Sequence, residues 1–468
     1  MAGVRDFASA QDPRRVPAAL REKYDQRGPR YTSYPPANHF RPVAAEELFR
    51  RWEERNRLRP DPGLSLYVHI PFCRRRCLFC GCHTFAAAPP QQVQAYLEAL
   101  AGEIRLAALH VSPARPVRQL ALGGGTPNFL SERQLESLLR LLEETWSFAA
   151  GAERSVELNP RTTTSSKLEV FHAHGFNRFS LGIQDFDAAV LQAIGRDQGL
   201  MEVEEVVGWL RARGTGSINF DLVYGLPGQS PESCLRTAAR VIELRPSRIA
   251  LYSYAHVPWL HRHQQALEGK LPTPDEKLEM FLLLLDAFRE AGYLPVGMDH
   301  FALPEDPLVE ALARGTLRRN FMGYTTGRGW DVLAFGASGI SSIGSSYAQN
   351  EKELPAYGEA VAAGRLPIFR GFLLEPDDLV RRELILELFC NFRADLDALS
   401  RAFGIRAAEY FAAELERLRP LEEDGLLRWS ERAIEVSESG RFFIRNICMV
   451  FDRYLEAEPA ARGYSRTI

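Results

Sequence analysis

From Leu64 onward two hydrophobic rhythms alternate along the chain. Short apolar runs, LSLYVHI, VRQLALGG, RSVELNP, NRFSLGIQ, SINFDLVYG and SRIALYSYA, are rich in β-branched and aromatic residues and read as strands. Between them, Gln92–Leu109, Glu132–Trp146, Ser165–His174, Glu202–Arg213 and Pro231–Leu244 place apolar residues at i, i+3 and i+4, the spacing of amphipathic helices. The unit recurs roughly every 30 residues, the length of a βαβ element. Strand alternating with helix predicts a parallel sheet, and crossovers of constant hand roll six such units into a partial barrel. The expected fold is therefore α/β, a partial (β/α)6 barrel.

The flanks carry other patterns. Residues 1 to about 40 are rich in Pro, Arg and Asp without a sustained period, which predicts a surface arm, followed by a short helix over Val43–Arg55. Beyond Tyr254 come a helical pair and then a Gly-, Ser- and Thr-rich stretch, RRNFMGYTTGRGWDVLAFGASGISSIGSSYAQN, which reads as loops and short strands over the barrel mouth. From about Glu375 the pattern turns helical and ends in a hairpin-like run, the outline of a winged-helix-like C-terminal domain. The expected divisions are an arm and entry helix over residues 1–55, a barrel over 56–370 and the C-terminal domain over 371–468.

Composition narrows the function. A net charge of −3 on 468 residues speaks against nucleic acid and anionic membrane as partners. Met280–Phe288, the most apolar run, is too short to cross a bilayer, and MAGVRDFASAQDPRR lacks the apolar core of a signal peptide. A reducing, cytoplasmic setting follows, in which the seven cysteines are thiols or ligands. Cys234, Cys390 and Cys448 are isolated in helix-like contexts and are expected to pack as small apolar residues.

The other four cysteines lie in YVHIPFCRRRCLFCGCHTF, as Cys73, Cys77, Cys80 and Cys82. Structural zinc usually draws C-x₂₋₄-C pairs from two separated loops, and no second pair follows here. Cys73, Cys77 and Cys80 instead form one C-x₃-C-x₂-C loop. Three thiolates can hold three irons of a [4Fe–4S] cube and leave the fourth open to a chelating ligand. Polar or glycine-rich residues mark one end of all six strands: the cysteine loop after the first, Gly123–Gly125 ending the second, Glu157 near the end of the third, Gln184 ending the fourth, Asp221 within the fifth and Tyr254–His256 closing the sixth. Barrel sites lie on that carboxyl rim. LALGGGTPNFLS lacks the spacing of a dinucleotide fingerprint, and its glycines instead let backbone approach a ligand.

The cysteine spacing, with Phe79 before the third cysteine, resembles the signature of the radical S-adenosylmethionine superfamily. Further motifs, RYTSYP, GGGTP, GIQDF, IGRDQ, NFDLVYGLPGQ, YAHVP, GMDHFA, RRNFMGYTT, YAQNEKEL and IRNICMVFDRYL, make nearly the whole chain resemble the oxygen-independent coproporphyrinogen III oxidases. The resemblance implies oxidative decarboxylation of two propionates of coproporphyrinogen III to vinyls, giving protoporphyrinogen IX. It implies a [4Fe–4S] cluster on Cys73, Cys77 and Cys80, and two S-adenosylmethionine molecules held by Tyr67, Phe79, Gly124, Gly125, Thr126, Glu157, Gln184, Arg196, Asp221, Ala255 and Ile340. An external electron donor and acceptor and a monomeric state belong to the same expectation. Arg30, Tyr31, Thr32 and Tyr34 would belong to an arm that covers the substrate, with neither the cluster nor the folded core depending on it. ELNP departs from the pattern at Asn159, and Arg74–Arg76 make the cysteine loop unusually basic. The alternatives on the same scaffold are a haem-trafficking protein, whose relatives lack RYTSYP and the fourth cysteine, and a haem-modifying radical enzyme.

Overall fold

A computed structural model describes residues 17–58, 61–197, 199–457 and 464–467. The first sixteen residues of the expected arm lie outside this set. Packing divides the chain into two units. The larger comprises Arg41–Ala291 and Gly329–Leu373; the smaller collects the segment up to Phe40, Gly292–Arg328 and everything from Leu374.

In the larger unit the six expected strands form where the hydrophobic runs place them: β1 (Leu64–Ile70), β2 (Val117–Gly124), β3 (Phe148–Leu158), β4 (Arg178–Gln184), β5 (Ser217–Tyr224) and β6 (Arg248–Ser253). They lie side by side in chain order, all parallel. The connecting helices take their ends from local chemistry. Ser131 caps Glu132–Thr145 in a reciprocal capping box, and Ser230 with Pro231 starts Pro231–Leu244.

The Gly/Ser/Thr-rich stretch, read as loops and short strands over the barrel mouth, does form short strands, and those from Asp331 onward extend the main sheet. Asp331–Phe335, all five residues buried, forms β7 and runs parallel to β1 on the edge opposite β2. Three antiparallel strands, β8 (Ile340–Ile343), β9 (Ser346–Asn350) and β10 (Ile368–Leu373), extend the sheet beyond it. The apolar DVLAF run outweighs the loop-like composition around it, because a buried strand needs only a few such residues.

One buried carboxylate fixes the turn between β7 and β8. Glu103, on helix Pro90–Ala107, accepts hydrogen bonds from Gly336 N at 2.7 Å, Asn350 Nδ2 at 2.6 Å and the Tyr357 hydroxyl. Gly336 has φ +94°, and a Cβ there would sit 2.6 Å from the His69 carbonyl oxygen, so only glycine lets this turn lie against β1. Burial pushes the Glu103 carboxyl up to about 7. The unfolded chain then releases this proton at lower pH than the folded one, so stability falls as pH rises from about 4.5 to about 7. The shift is worth roughly 3 kcal/mol at most. Glu103→Gln should lower the thermal midpoint of the larger unit and flatten its slope over that window, as followed by near-UV circular dichroism.

The smaller unit has a core of its own, in which Leu384, Ile385, Leu388 and Phe389 of helix Pro376–Asn391 meet Phe411, Phe443, Ile447 and Phe451. A three-stranded sheet, Arg393–Asp395 with Ala433–Val436 and Leu427–Trp429, packs with the helices from Leu396 onward. Cys390 and Cys448 are buried here and Cys234 in the larger unit, as small apolar residues would be.

The described part of the arm belongs to this core, which corrects its reading as a surface tail. Tyr31 and Tyr34 are 2% and 1% exposed. Tyr31 donates to Asp452 Oδ2 at 3.0 Å, and Arg453 N donates to the Tyr34 hydroxyl at 3.3 Å. Buried Arg445 holds the carbonyls of Gly28, Pro29, Ser465 and Arg466 together. Thr467 N donates to Gln26 O at 2.7 Å.

Candidate active site

Strand ends and the loops after them bring most of the sequence-derived positions into three hydrogen-bonded groups. The first surrounds the cysteine loop. Cys73, Cys77 and Cys80 are half-buried free thiols, while Cys82 is exposed. Thr126, after the glycine run, lies 3.3 Å from Cys73 Sγ. Arg196 reaches within 3.9 Å of Cys77 Sγ through Nη1, and its Nη2 donates to Gly182 O at 2.6 Å. Burial raises the Cys73 and Cys77 thiols, and the Arg196 guanidinium offsets part of that rise. Outside contacts brace the loop: Leu78 N donates to Ile194 O, Gln264 Nε2 to Phe79 O at 3.0 Å, and His263 Nε2 to Cys80 O at 2.8 Å.

The second group lies across β3, β4 and β5. Asp221 accepts from Ser180 Oγ and Asn219 Nδ2, each at 2.8 Å. Glu157 accepts from Gly124 N at 3.2 Å. Burial, and next the charge of Asp221, push the Glu157 carboxyl up to about 7. Two carboxylates close enough for one to raise the other suit a ligand that brings positive charge or hydroxyls. The glycines beside them are there for close packing. A Cβ on Gly123 would stand 2.9 Å from the Glu157 carboxylate, and one on Gly125 equally close to the backbone of Pro71 and Phe72.

The third group is a relay on β1. His69 Nε2 donates to His83 O at 2.9 Å, which leaves Nδ1 to accept from the Tyr67 hydroxyl at 3.0 Å. Burial lowers the imidazole to about 4, so it is neutral. Tyr96 donates to His69 O at 2.6 Å and accepts from Ala337 N, linking the relay to the turn that Glu103 holds.

Gln184 ends β4 under backbone strain. Its φ is +69°, in the left-handed region that glycine favours. The neighbouring Asp185 makes that conformation hold. Fully buried, it accepts from Phe186 N, Asp187 N, Thr237 Oγ1 and Gln229 Nε2, tying GIQDF to GLPGQ. Sequence reasoning assigned Asp185 no role. Its signal was an aspartate, followed by a second capping aspartate, at a strand end. Asn159 has a structural role too: its side chain accepts from Arg161 N, and its backbone pairs with Asn128 of the glycine loop. Among the described residues, Ala255 and Ile340 join none of the three groups, and Arg30, Tyr31, Thr32 and Tyr34 lie in the smaller unit.

The comparisons with known proteins fall on these features. A model of the radical SAM superfamily matches residues 67–241, and a HemN C-terminal domain model matches 374–443. Curated oxygen-independent coproporphyrinogen III oxidases are similar along almost their entire length. That of Salmonella typhimurium is 43% identical, covering 96% of this chain and 98% of its own. That of Pseudomonas aeruginosa is 40% identical, with 98% and 100% covered. The chain belongs to the oxygen-independent coproporphyrinogen III oxidase family.

A solved coproporphyrinogen III oxidase from Escherichia coli, described as a radical SAM enzyme, superposes with a TM-score of 0.86 at 42% identity. It covers 91% of this chain and 97% of its own. The expected α/β barrel with a helical C-terminal domain is therefore the fold of the family. Membership brings a [4Fe–4S] cluster and S-adenosylmethionine with it, and the donor set fits both. Among the described residues, no three His, Cys, Asp or Glu side chains converge on a point fit for a single ion. A cube needs no such convergence, since each thiolate binds a different iron. The Glu157 carboxylate, with Asp221 near it, suits the ammonium and ribose hydroxyls of S-adenosylmethionine, and Arg196 suits its carboxylate.

Proposed function

We propose that this chain decarboxylates two propionate side chains of coproporphyrinogen III to vinyls, yielding protoporphyrinogen IX for haem synthesis. The observation that carries this reading is identity above 40% with an oxidase of that name across both units, not over the barrel alone. When bound, the cluster and S-adenosylmethionine supply a carbon radical able to take a hydrogen atom from a propionate β-carbon. The protein supplies placement and dryness. Cys73, Cys77 and Cys80 hold the cluster. Thr126 and Arg196 set the polarity around the sulfurs. Glu157 and Asp221 accept from the ammonium and ribose hydroxyls, and Gln184 is held in place by Asp185. Neutral His69 orients the Tyr67 hydroxyl. Of the four arm positions, Tyr31 and Tyr34 spend their hydroxyls on the core of the smaller unit, so Arg30 and Thr32 are the ones we assign to a substrate carboxylate. Seven free cysteines agree with a reducing, cytoplasmic setting, and among the described residues no helix is long and apolar enough to cross a membrane.

The test is an anaerobic assay with reductant, S-adenosylmethionine and coproporphyrinogen III, read by mass spectrometry. Loss of two carboxyl groups with formation of two vinyls is the expected result. Haem held stably by the purified protein, without turnover, would favour the trafficking alternative. Asp221→Asn and Gln184→Ala should keep the cluster's absorbance yet bind S-adenosylmethionine about tenfold more weakly or worse, the worth of one charge-assisted hydrogen bond. Normal binding and turnover by both would remove these residues from the site. Equilibrium dialysis should give two S-adenosylmethionine molecules per chain; one would remove the second molecule from this proposal.

A further inference from the structure

We propose that the face of the larger unit carrying Arg74–Arg76, Trp259 and Leu260 is the docking surface for an acidic one-electron carrier protein. The inference rests on the reading that Cys73, Cys77 and Cys80 hold a redox cluster.

Three observations converge on this face. Arg74, Arg75 and Arg76 are exposed and consecutive, and they sit between two of the proposed ligands. Arg76 is tied down through Thr84 O, whereas among the described residues neither Arg74 nor Arg75 forms an ion pair. The charge is also uncompensated along the chain. No Asp or Glu occurs from Pro62 to Leu97 or from Leu244 to Leu267, although the whole protein carries −3. Finally, Trp259 and Leu260 are 51% and 61% exposed, an adjacent apolar pair on a segment that His263 and Gln264 fasten to the backbone of Cys80 and Phe79.

A basic loop fastened to a segment with an exposed tryptophan is the complement of an acidic patch with an apolar part. Charge steers such partners together, and the aromatic supplies the contact. The location selects the partner's chemistry. Whatever seats on Arg74 and Trp259 rests on the loop between the ligand cysteines and the segment fastened to it, so an electron delivered there has little protein to cross. The exchange balances simply: the carrier loses one electron, the cofactor site gains one, and no bond is made or broken.

The probe is a reduced flavodoxin, an acidic flavin carrier, against the cluster-loaded enzyme. Binding by surface plasmon resonance should weaken steeply with added salt. The double variant R74E/R75E should lose about tenfold or more in affinity and most of its salt dependence. Trp259→Ser with Leu260→Ser, away from the ligands, should lose affinity while keeping the salt slope. Both variants should retain cluster absorbance and dithionite-driven turnover, because a small reductant needs no docking surface, and both should fail only when flavodoxin supplies the electrons. Flavodoxin binding and turnover unchanged in both variants would overturn the proposal. So would selective binding of phosphatidylserine vesicles without binding of the carrier, which would make the face a membrane contact. No turnover with dithionite even in the unmodified enzyme would instead refute the catalytic reading on which the docking rests.

Discussion

Replacing Cys73, Cys77 or Cys80 by alanine should leave the protein without its cluster and without activity. After anaerobic reconstitution the unmodified chain should bind about four irons, the content of one cube. Each of these thiolates would hold a different iron, so no neighbour can substitute when one is removed. Their half-buried sulfurs face Thr126 and Arg196, not an apolar core, so the variants should fold. Cys82→Ala is the informative contrast. Cys82 is exposed, and its backbone amide donates to Cys80 Sγ at 3.4 Å, a contact that survives loss of the thiol. Iron content and the visible charge-transfer band should persist in that variant. If it loses iron as completely as the other three, the ligand set proposed here is wrong.

Arg445→Met should release the arm. The Arg445 guanidinium is buried and gathers carbonyls from Gly28, Pro29, Ser465 and Arg466. Methionine fills a similar volume but donates nothing, so those oxygens lose their shared partner in a buried place. Each such loss costs about 1–3 kcal/mol, and with partial relaxation the total is roughly 3–5 kcal/mol. Hydrogen exchange should rise first at Tyr24–Tyr34, while β1 to β6 keep their protection. This replaces the expectation that the core does not depend on the arm. Tyr24, Tyr31 and Tyr34 are themselves core residues, so deleting the arm should destabilise the smaller unit as well as stop turnover. Unchanged exchange in the arm of Arg445→Met would show that Tyr31 and Tyr34 hold it without the guanidinium.

The barrel was legible because its signals are local. Each of the six strands carries its own apolar run, and the polar groups after the runs mark one rim whatever else the chain does. The cysteine loop was legible for the same reason, with all its ligands within eight residues of one another. The illegible parts depend on partners far away in sequence. Glu103 looks like one more acid on an amphipathic helix, and nothing nearby announces Asn350 or Tyr357, 247 and 254 residues on. The arm shows no period because single bonds anchor it, not a repeating apolar face. The place of β7 beside β1 was hidden by its setting, since DVLAF stands between glycine-rich turns and its partner lies far back in the chain. Asp185 and Asn159 hold backbone in shape around the site, and a single sequence shows such roles only weakly.

The way the arm is held also bears on how the protein is born. Gln26 meets Thr467, 441 residues further along the chain. At ordinary ribosomal rates that separation is roughly 20–90 s of synthesis. Throughout that time the barrel can assemble from contacts already made, but Tyr31 waits for Asp452 and Gly28 waits for Arg445. Tyr24–Tyr34, made long before their partners, are therefore among the last residues to find their place. A nascent chain stalled before Arg445 should present Tyr24–Tyr34 to chaperones and proteases, and protection should arrive only once Arg445 and Thr467 have emerged.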